Sequence, residues 1–319
     1  MRTILAAWGL LLLPAMAQAC DVCGIFLGIQ PHDRTSSVSL LWRVRHLEGH
    51  LSTPGLLAQP KHGGHGVEGV ALTGNDHYRE LYQVMELRAD LWLGQRFALL
   101  ASLPAVNNYR AVNGIITTDV YGMGDPLLIG RYMVANTKCL TMDERVVHRL
   151  MLGAGAKLPM GRDDLRFLDV PVAVDLQPGT GTWDLLGTVE YMVRHGRNGG
   201  AVTMIGRHNG RNAAGYQLGH GLSTTAEVFR RWDFGDHVKW MPSLGIYHEL
   251  AGGDVEDDAF VRGTGSSTLF AHMGSRVWWQ NWMLMLNLQY AVKADVGELL
   301  VPNRMRIVTG IAFNFTKHG

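Results

Sequence analysis

Large apolar residues recur at every second position through much of this chain, the repeat of a β-strand with two unlike faces. Near the C-terminal end, Ile307, Thr309, Ile311, Phe313 and Phe315 fall on one face, and Val308, Gly310, Ala312 and Asn314 on the other. Around residue 90 the contrast is sharper. Met85, Leu87, Ala89 and Leu91 alternate with Glu86, Arg88 and Asp90. Gly94-Gln95-Arg96 then turns the chain into Phe97, Leu99, Ala101 and Leu103, the pattern of a hairpin with a tight connection. Continued along the chain, the alternation predicts about twelve strands, near residues 36–46, 79–92, 96–104, 126–135, 145–158, 182–194, 200–207, 218–232, 237–250, 267–277, 282–293 and 305–316. Short connections alternate with long ones, the latter over 47–77, 105–125, 159–181, 208–217, 251–266 and 294–304.

Strands with one wide apolar face need somewhere to put it. Beyond the N-terminal region no segment approaches the roughly 18 unbroken apolar residues of a membrane-crossing helix, yet 47% of the residues are hydrophobic. The 39 glycines exceed the usual share of about 7% and punctuate the apolar segments. An even number of strands, with short turns at one end and long loops at the other, predicts a closed antiparallel up-and-down transmembrane β-barrel over residues 36–316 with both termini periplasmic, leaving 317–319 as a tail. Hydrocarbon offers no hydrogen bonds, so such a sheet must close on itself. Trp92, Trp183, Trp232, Trp240, Trp278, Trp279 and Trp282 fall near strand ends, where interfacial girdles belong.

The first residues read as an export signal. Arg2 is followed by an apolar run from Ile4 to Met16, and Ala17-Gln18-Ala19 fits a signal-peptidase site, which makes 1–19 a signal peptide and 20–35 a periplasmic segment. A lipid-attached Cys20 is the alternative, although Ala17 stands where that context favours Leu. Loss of Arg2 takes the formal charge from +1 to zero. A balanced chain without a clustered basic face speaks against a nucleic-acid partner. The expected surroundings are lipid and lipopolysaccharide of a Gram-negative cell outer membrane, with the barrel-assembly machinery and a small solute as partners.

Four groups of residues could carry chemistry. The inward phase of the strands would place Arg43, Arg45, Glu86, Arg88, Asp90, Arg149, Lys157, Asp184, Glu190, Arg194, Glu227, Lys239, Glu249, His272 and Arg276 in the lumen. There they either set a selective field or pair across strands and fill the interior. Cys20 and Cys23, at the predicted mature N-terminus, suit a periplasmic disulfide or a soft-metal clip for copper or zinc. Redox catalysis has less support, because no βαβ pattern surrounds the pair. Cys139 stands alone. The longest loop carries His46, His50, His62, His65 and His77, imidazoles that could hold copper or zinc or simply make the loop polar. Asp254-Val255-Glu256-Asp257-Asp258 concentrates acid in another loop, without the spacing of a calcium-binding loop. No nucleophile elbow and no His-Glu-x-x-His element is present, so an enzyme is not expected and no cofactor is required.

Three segments stand out together: Gly122-Met123-Gly124-Asp125-Pro126, Leu152-Gly153-Ala154-Gly155-Ala156-Lys157-Leu158-Pro159, and Leu176-Gln177-Pro178-Gly179-Thr180-Gly181-Thr182-Trp183-Asp184. With the Cys20-Asp21-Val22-Cys23-Gly24 start, the chain resembles a Gram-negative outer-membrane β-barrel transporter family related to the meta-pathway phenol-degradation family. The resemblance runs over residues 20–316 and implies a barrel and the passage of a solute. The expected activity is therefore a channel or transporter for a small solute, with metal ions and hydrophobic compounds as candidate classes. The alternative is a metal-binding barrel with a closed lumen that transports nothing.

Overall fold

The computed structural model describes residues 34–51, 75–138 and 146–315. Twelve long strands form its wall: β1 Ser36–Leu51, β2 Asp76–Trp92, β3 Phe97–Val112, β4 Leu127–Asn136, β5 Val147–Lys157, β6 Asp184–His195, β7 Asn198–His208, β8 Gly221–Arg230, β9 Val238–Ala251, β10 Ser266–Trp279, β11 Trp282–Val296 and β12 Asn303–Phe315. Each is antiparallel to its neighbours and pairs with the next in the chain. β12 returns to β1, from Ser36 opposite Phe315 to Leu47 opposite Asn303. The sheet therefore has no edge, and its amides find their partners within the wall. This is a membrane-spanning up-and-down barrel.

Alternation decides which side chains meet lipid. Met85 and Leu87 point outward, Leu87 53% exposed, while Glu86, Arg88 and Asp90 on the alternate positions are buried inside. β12 behaves the same way, with Ile311, Phe313 and Phe315 outside and Val308 and Ala312 inside. Five of the tryptophans placed at strand ends, Trp183, Trp232, Trp240, Trp279 and Trp282, are exposed as a girdle requires. Trp92 and Trp278 are not. They share the inward phase of Asp90 and Arg276 and are buried in the lumen.

The segment 105–125, expected as a loop, instead continues β3 to Val112 and returns as a strand, Ile115–Met123, paired to it. Asn113 (φ 51°) and Gly114 (φ 84°) make the two-residue turn. Both need the left-handed region, which the Asn-Gly pair tolerates best. On the opposite end, the β10–β11 hairpin turns through Gln280 and Asn281, with Trp279 opposite Trp282. Beyond the wall at the long-loop end, Tyr216–Gln217, Val255–Glu256 and Ala259–Phe260 form a small sheet.

Candidate functional site

Twelve strands enclose more space than wall side chains of a small barrel can fill, since about eight already leave an interior just wide enough for them. What occupies that space defines the site, and it comes in three levels.

At the short-turn end most inward positions are apolar, although Arg149 is buried opposite Met192. Met192, Phe229, Met241 and Trp278 form one buried cluster, with Ala201 and Met283 against it. Trp92, Ala98, Met133 and Met151 form a second. All eight buried residues lie within a few positions of a short turn, so together they make an apolar floor.

Above the floor the lumen is charged, and its charges are paired. Glu86 takes Arg43 at 3.1 Å and Arg88 at 2.6 Å, and accepts a hydrogen bond from Ser102 at 2.6 Å. Arg131 bridges Asp90 of β2 and Glu190 of β6, reaching past β3 on one side and β5 on the other. Arg276, fully buried, lies 3.4 Å from Glu227, which His272 also faces. Arg306 of β12 spans the interior to Glu249 and stacks 4.6 Å over the ring of Tyr247 on β9. Arg194 and Lys239 stand half-buried at the turn-end rim, away from these pairs. Arg131 and Arg306 were not among the candidates drawn from the sequence. Both lie on the inward phase of their strands, which was the available signal.

At the long-loop end part of the β5–β6 connection folds inward. A 3-10 turn, Val174–Leu176, is the only helix among the described residues. Leu176 is fully buried against Val120 and Val172, and its carbonyl accepts a 2.9 Å hydrogen bond from Asn108 Nδ2. Asp175 pairs with Arg110 at 3.5 Å, and Arg110 donates to Glu80 at 2.6 Å. Gln177 ties the segment to itself, donating to the carbonyls of Leu165 and Val172 and accepting from the Leu165 N–H at 3.0 Å.

The root of this connection is a polar node. Asp125 accepts from Gly161 N–H at 2.8 Å, from Thr180 N–H at 2.9 Å and from Lys157 Nζ at 2.5 Å. Lys157 also reaches Asp184 at 3.1 Å, and Thr182 donates to Asp184 at 2.7 Å. The three segments noted in the sequence meet here, through Asp125, Lys157, and Thr180, Thr182 and Asp184, once β3 to β6 are wound side by side. Gly161 and Gly179 cross so closely that a β-carbon on Gly179 would stand 2.5 Å from the Gly161 carbonyl carbon.

A cavity of about 150 Å³ lies beneath the inward segment. Arg43, Arg45, Arg207 and Arg306 line it together with Lys157, against two carboxylates, Asp125 and Asp175. A smaller space of about 50 Å³ lies on the other side of Asp175 and Tyr82.

The loop-end histidines are arranged differently. Glu48 lies 3.0 Å from His77 Nε2 and 3.6 Å from His46 Nε2, and the His50 ring sits 5.0 Å from that of His77. His62 and His65 lie outside the described residues, as do Cys20, Cys23 and Cys139. Among the described residues no three His, Cys, Asp or Glu side chains converge as metal ligands. The acidic run 254–258 is splayed rather than gathered. Asp254 is buried and receives the Tyr216 hydroxyl and the Gly219 N–H, whereas Asp258 reaches out to Arg211 at 2.6 Å. That hydrogen bond to Arg211 holds the Asp258 carboxyl below its ordinary range. On the β7–β8 connection the His220 ring stacks on His208 with centroids 4.0 Å apart, and Asn209 N–H donates to its Nδ1 at 3.2 Å. Partial burial, and then His208, push the His220 pKa down.

No protein-family model and no curated protein matches the chain. Among solved structures it is similar to the COG4313 outer membrane channel from Pseudomonas putida F1, with a TM-score of 0.57 at 11% identity over 95% of this chain and 100% of that one. The translocator domain of the autotransporter NalP from Neisseria meningitidis follows at a TM-score of 0.40 and 12% identity, over 89% of this chain and 90% of that one. The first likeness carries the fold: this chain is a β-barrel built like that one.

Proposed function

We propose that this protein is an outer-membrane channel that passes a small solute between its long-loop and short-turn ends. The observation that carries this reading is the interior itself: a closed wall, apolar outside, surrounds a charged lumen that keeps a cavity beneath an inward-folded loop segment. Paired charges with both signs present give a solute a polar route through a low-dielectric wall, where fields act strongly. The floor would be the second constriction. Met133, Met151, Met192 and Met241 contribute unbranched thioethers that change shape at small cost, so an apolar floor of this kind can yield to a small solute while staying dry at rest. Lipid and lipopolysaccharide would surround the wall, delivered there by the barrel-assembly machinery acting on an exported chain. The kinship with barrels of the meta-pathway phenol-degradation family belongs to this reading as well. We assign the chain no catalytic role and no required cofactor.

The test is single-channel recording of the purified protein in planar bilayers. Discrete, reproducible current steps are expected. A bilayer that stays silent with folded protein inserted would sink the reading, and would favour the second one: a closed barrel that holds copper or zinc through Cys20, Cys23, His50, His62 and His65. The packed floor and the Glu48, His77 and His50 grouping at the loop end support that alternative. Calorimetric titration with copper and zinc, before and after changing the three histidines to Ala, would test it directly.

A further inference from the structure

The cavity beneath the inward segment has two unlike walls. Val84, Val106, Leu127, Val174, Pro178 and Leu186 give it a broad apolar side. The other side is cationic, with four arginines and one lysine against two carboxylates. Both carboxylates are already engaged: Asp125 holds Lys157 of the same lining, and Asp175 holds Arg110, which is not part of it. The acids that face the arginines from outside the lining are shared in turn. Glu86 serves Arg88 as well as Arg43, and Glu249, which binds Arg306, lines the neighbouring space together with Arg45. Arg43 Nε is buried and makes no hydrogen bond among the described residues. Lys157 is offset by Asp184 as well as Asp125, so the excess lies among the arginines, where Arg43, Arg45, Arg88 and Arg306 face Glu86 and Glu249 in a barrel that is close to neutral as a whole.

We infer that this cavity is a binding subsite for a small amphipathic carboxylate, its apolar body against the valine and leucine wall and its carboxylate on the arginines. Size agrees with chemistry: an apolar cavity of about 150 Å³ is one that accepts a benzene-sized body, and this one measures about 150 Å³. Arginine is the side chain suited to the other end, because its planar fork matches a carboxylate with two parallel hydrogen bonds. Val174, Asp175 and Pro178 of the inward segment form part of the wall, so a bound anion would touch the loop that covers it. The inference deepens the channel reading by giving its solute a class.

Benzoate and benzylamine, similar in shape and opposite in charge, are the probes, titrated calorimetrically into the detergent-folded barrel. One benzoate should bind per chain, with benzylamine at least tenfold weaker. Arg43→Gln should weaken benzoate at least tenfold. Val174→Trp, which fills the apolar side from a loop and leaves every strand untouched, should do the same while the protein keeps its heat-modifiable migration. Benzylamine binding as tightly as benzoate, no benzoate heat at all, or a Val174→Trp titration unchanged from the parent would each overturn the subsite. Bilayer recording separates the two claims. Benzoate binding with no current removes the channel and leaves the subsite, whereas current without benzoate binding removes the subsite and leaves the channel.

Discussion

The two ends of the lumen are narrowed by opposite means. At the short-turn end the constriction is made of side chains that belong to the wall, Trp92, Met151, Met241 and Trp278 among them, packed without a polar atom of the backbone leaving the ladder. At the long-loop end it is made of a separate piece of chain, 172–178, held by a hydrogen bond from Asn108 and an ion pair to Arg110, and followed by Thr180, which is fixed to the Asp125 node. The first kind gives way only as rotamers shift or the barrel itself distorts. The second can be released at a few named bonds while the wall stays intact. The two constrictions stand in series, so opening one alone should change conductance less than opening both.

The largest effect is expected from Asp125→Ala. It strips two backbone N–H groups of their acceptor and leaves Lys157 with Asp184 and the Thr180 hydroxyl. Each backbone N–H left without an acceptor costs about 1–3 kcal/mol, while Lys157 keeps Asp184 as its counter-charge. The inward segment should detach, the thermal midpoint of the heat-modifiable transition should fall, and conductance should rise. An Asp125→Ala barrel with parent-like midpoint and current would mean that the node does not hold the segment.

Met241→Ala attacks the other constriction. Met241 is fully buried in the floor, and Met-to-Ala changes in packed sites cost about 2–5 kcal/mol, with the lower part expected here because Met192 and Met283 can move in. The midpoint should drop less than for Asp125→Ala, and current alone should rise modestly. Combined with Asp125→Ala, the rise should exceed the sum of the two singles. Simple additivity of the currents would argue that the two ends do not act in series.

Gly179→Ala should be milder. The added methyl meets the Gly161 backbone, so the arms of the β5–β6 connection must part by a few tenths of an ångström or more, at a cost of about 1–3 kcal/mol typical of overpacking. Faster proteolysis within 158–183, with unchanged barrel migration, is the expected readout. Cleavage no faster than in the parent would mean that the crossing of the two glycines is not a constraint on the loop.

Where the sequence speaks clearly about these two ends follows from contrast. Between Met85 and Leu91 lipid-facing and lumen-facing residues differ in kind, and the strand and its faces can be read directly. Near the short turns the contrast vanishes: Met192, Phe229 and Met241 are inward and as apolar as their lipid-facing neighbours, so the alternation that identifies a face carries no information about the floor. Trp92 and Trp278 look like girdle residues for the same reason. The Asn113-Gly114 turn was legible in principle, because that pair is the usual mark of a two-residue hairpin. The Asp125 node was present in the sequence as three separate segments, but their meeting depends on β3 to β6 lying in order. The inward fold of 172–178 depends on Asn108 and Arg110, more than sixty residues earlier, and no local pattern announces a contact of that range.

The smallest effect concerns a group that titrates near neutral pH, which the eight packed side chains of the floor lack. His220 at the loop end has its pKa lowered, first by burial and then by the stacked His208, with Asp184 acting the other way. An unfolded histidine titrates near 6.5, so below that pH the unfolded chain binds more protons than the folded one. Stability contributed by the neutral His220 is therefore full above about 6.5 and declines as pH falls toward the depressed folded value. Because His220 is exposed on one side, the change should be slight and confined to the 209–220 connection. An NMR titration should place its midpoint below 6.5, and His208→Ala should bring it back toward that value. Amide exchange in 209–220 should quicken as pH falls from 6.5 to 5.5, relative to a His220→Gln control that removes the intrinsic pH dependence, while the floor amides beside Met241 and Trp278 stay as they were. A midpoint at or above 6.5, or an acid response in the floor as large as in the loop, would dissolve the distinction between a polar, releasable end and an apolar, fixed one.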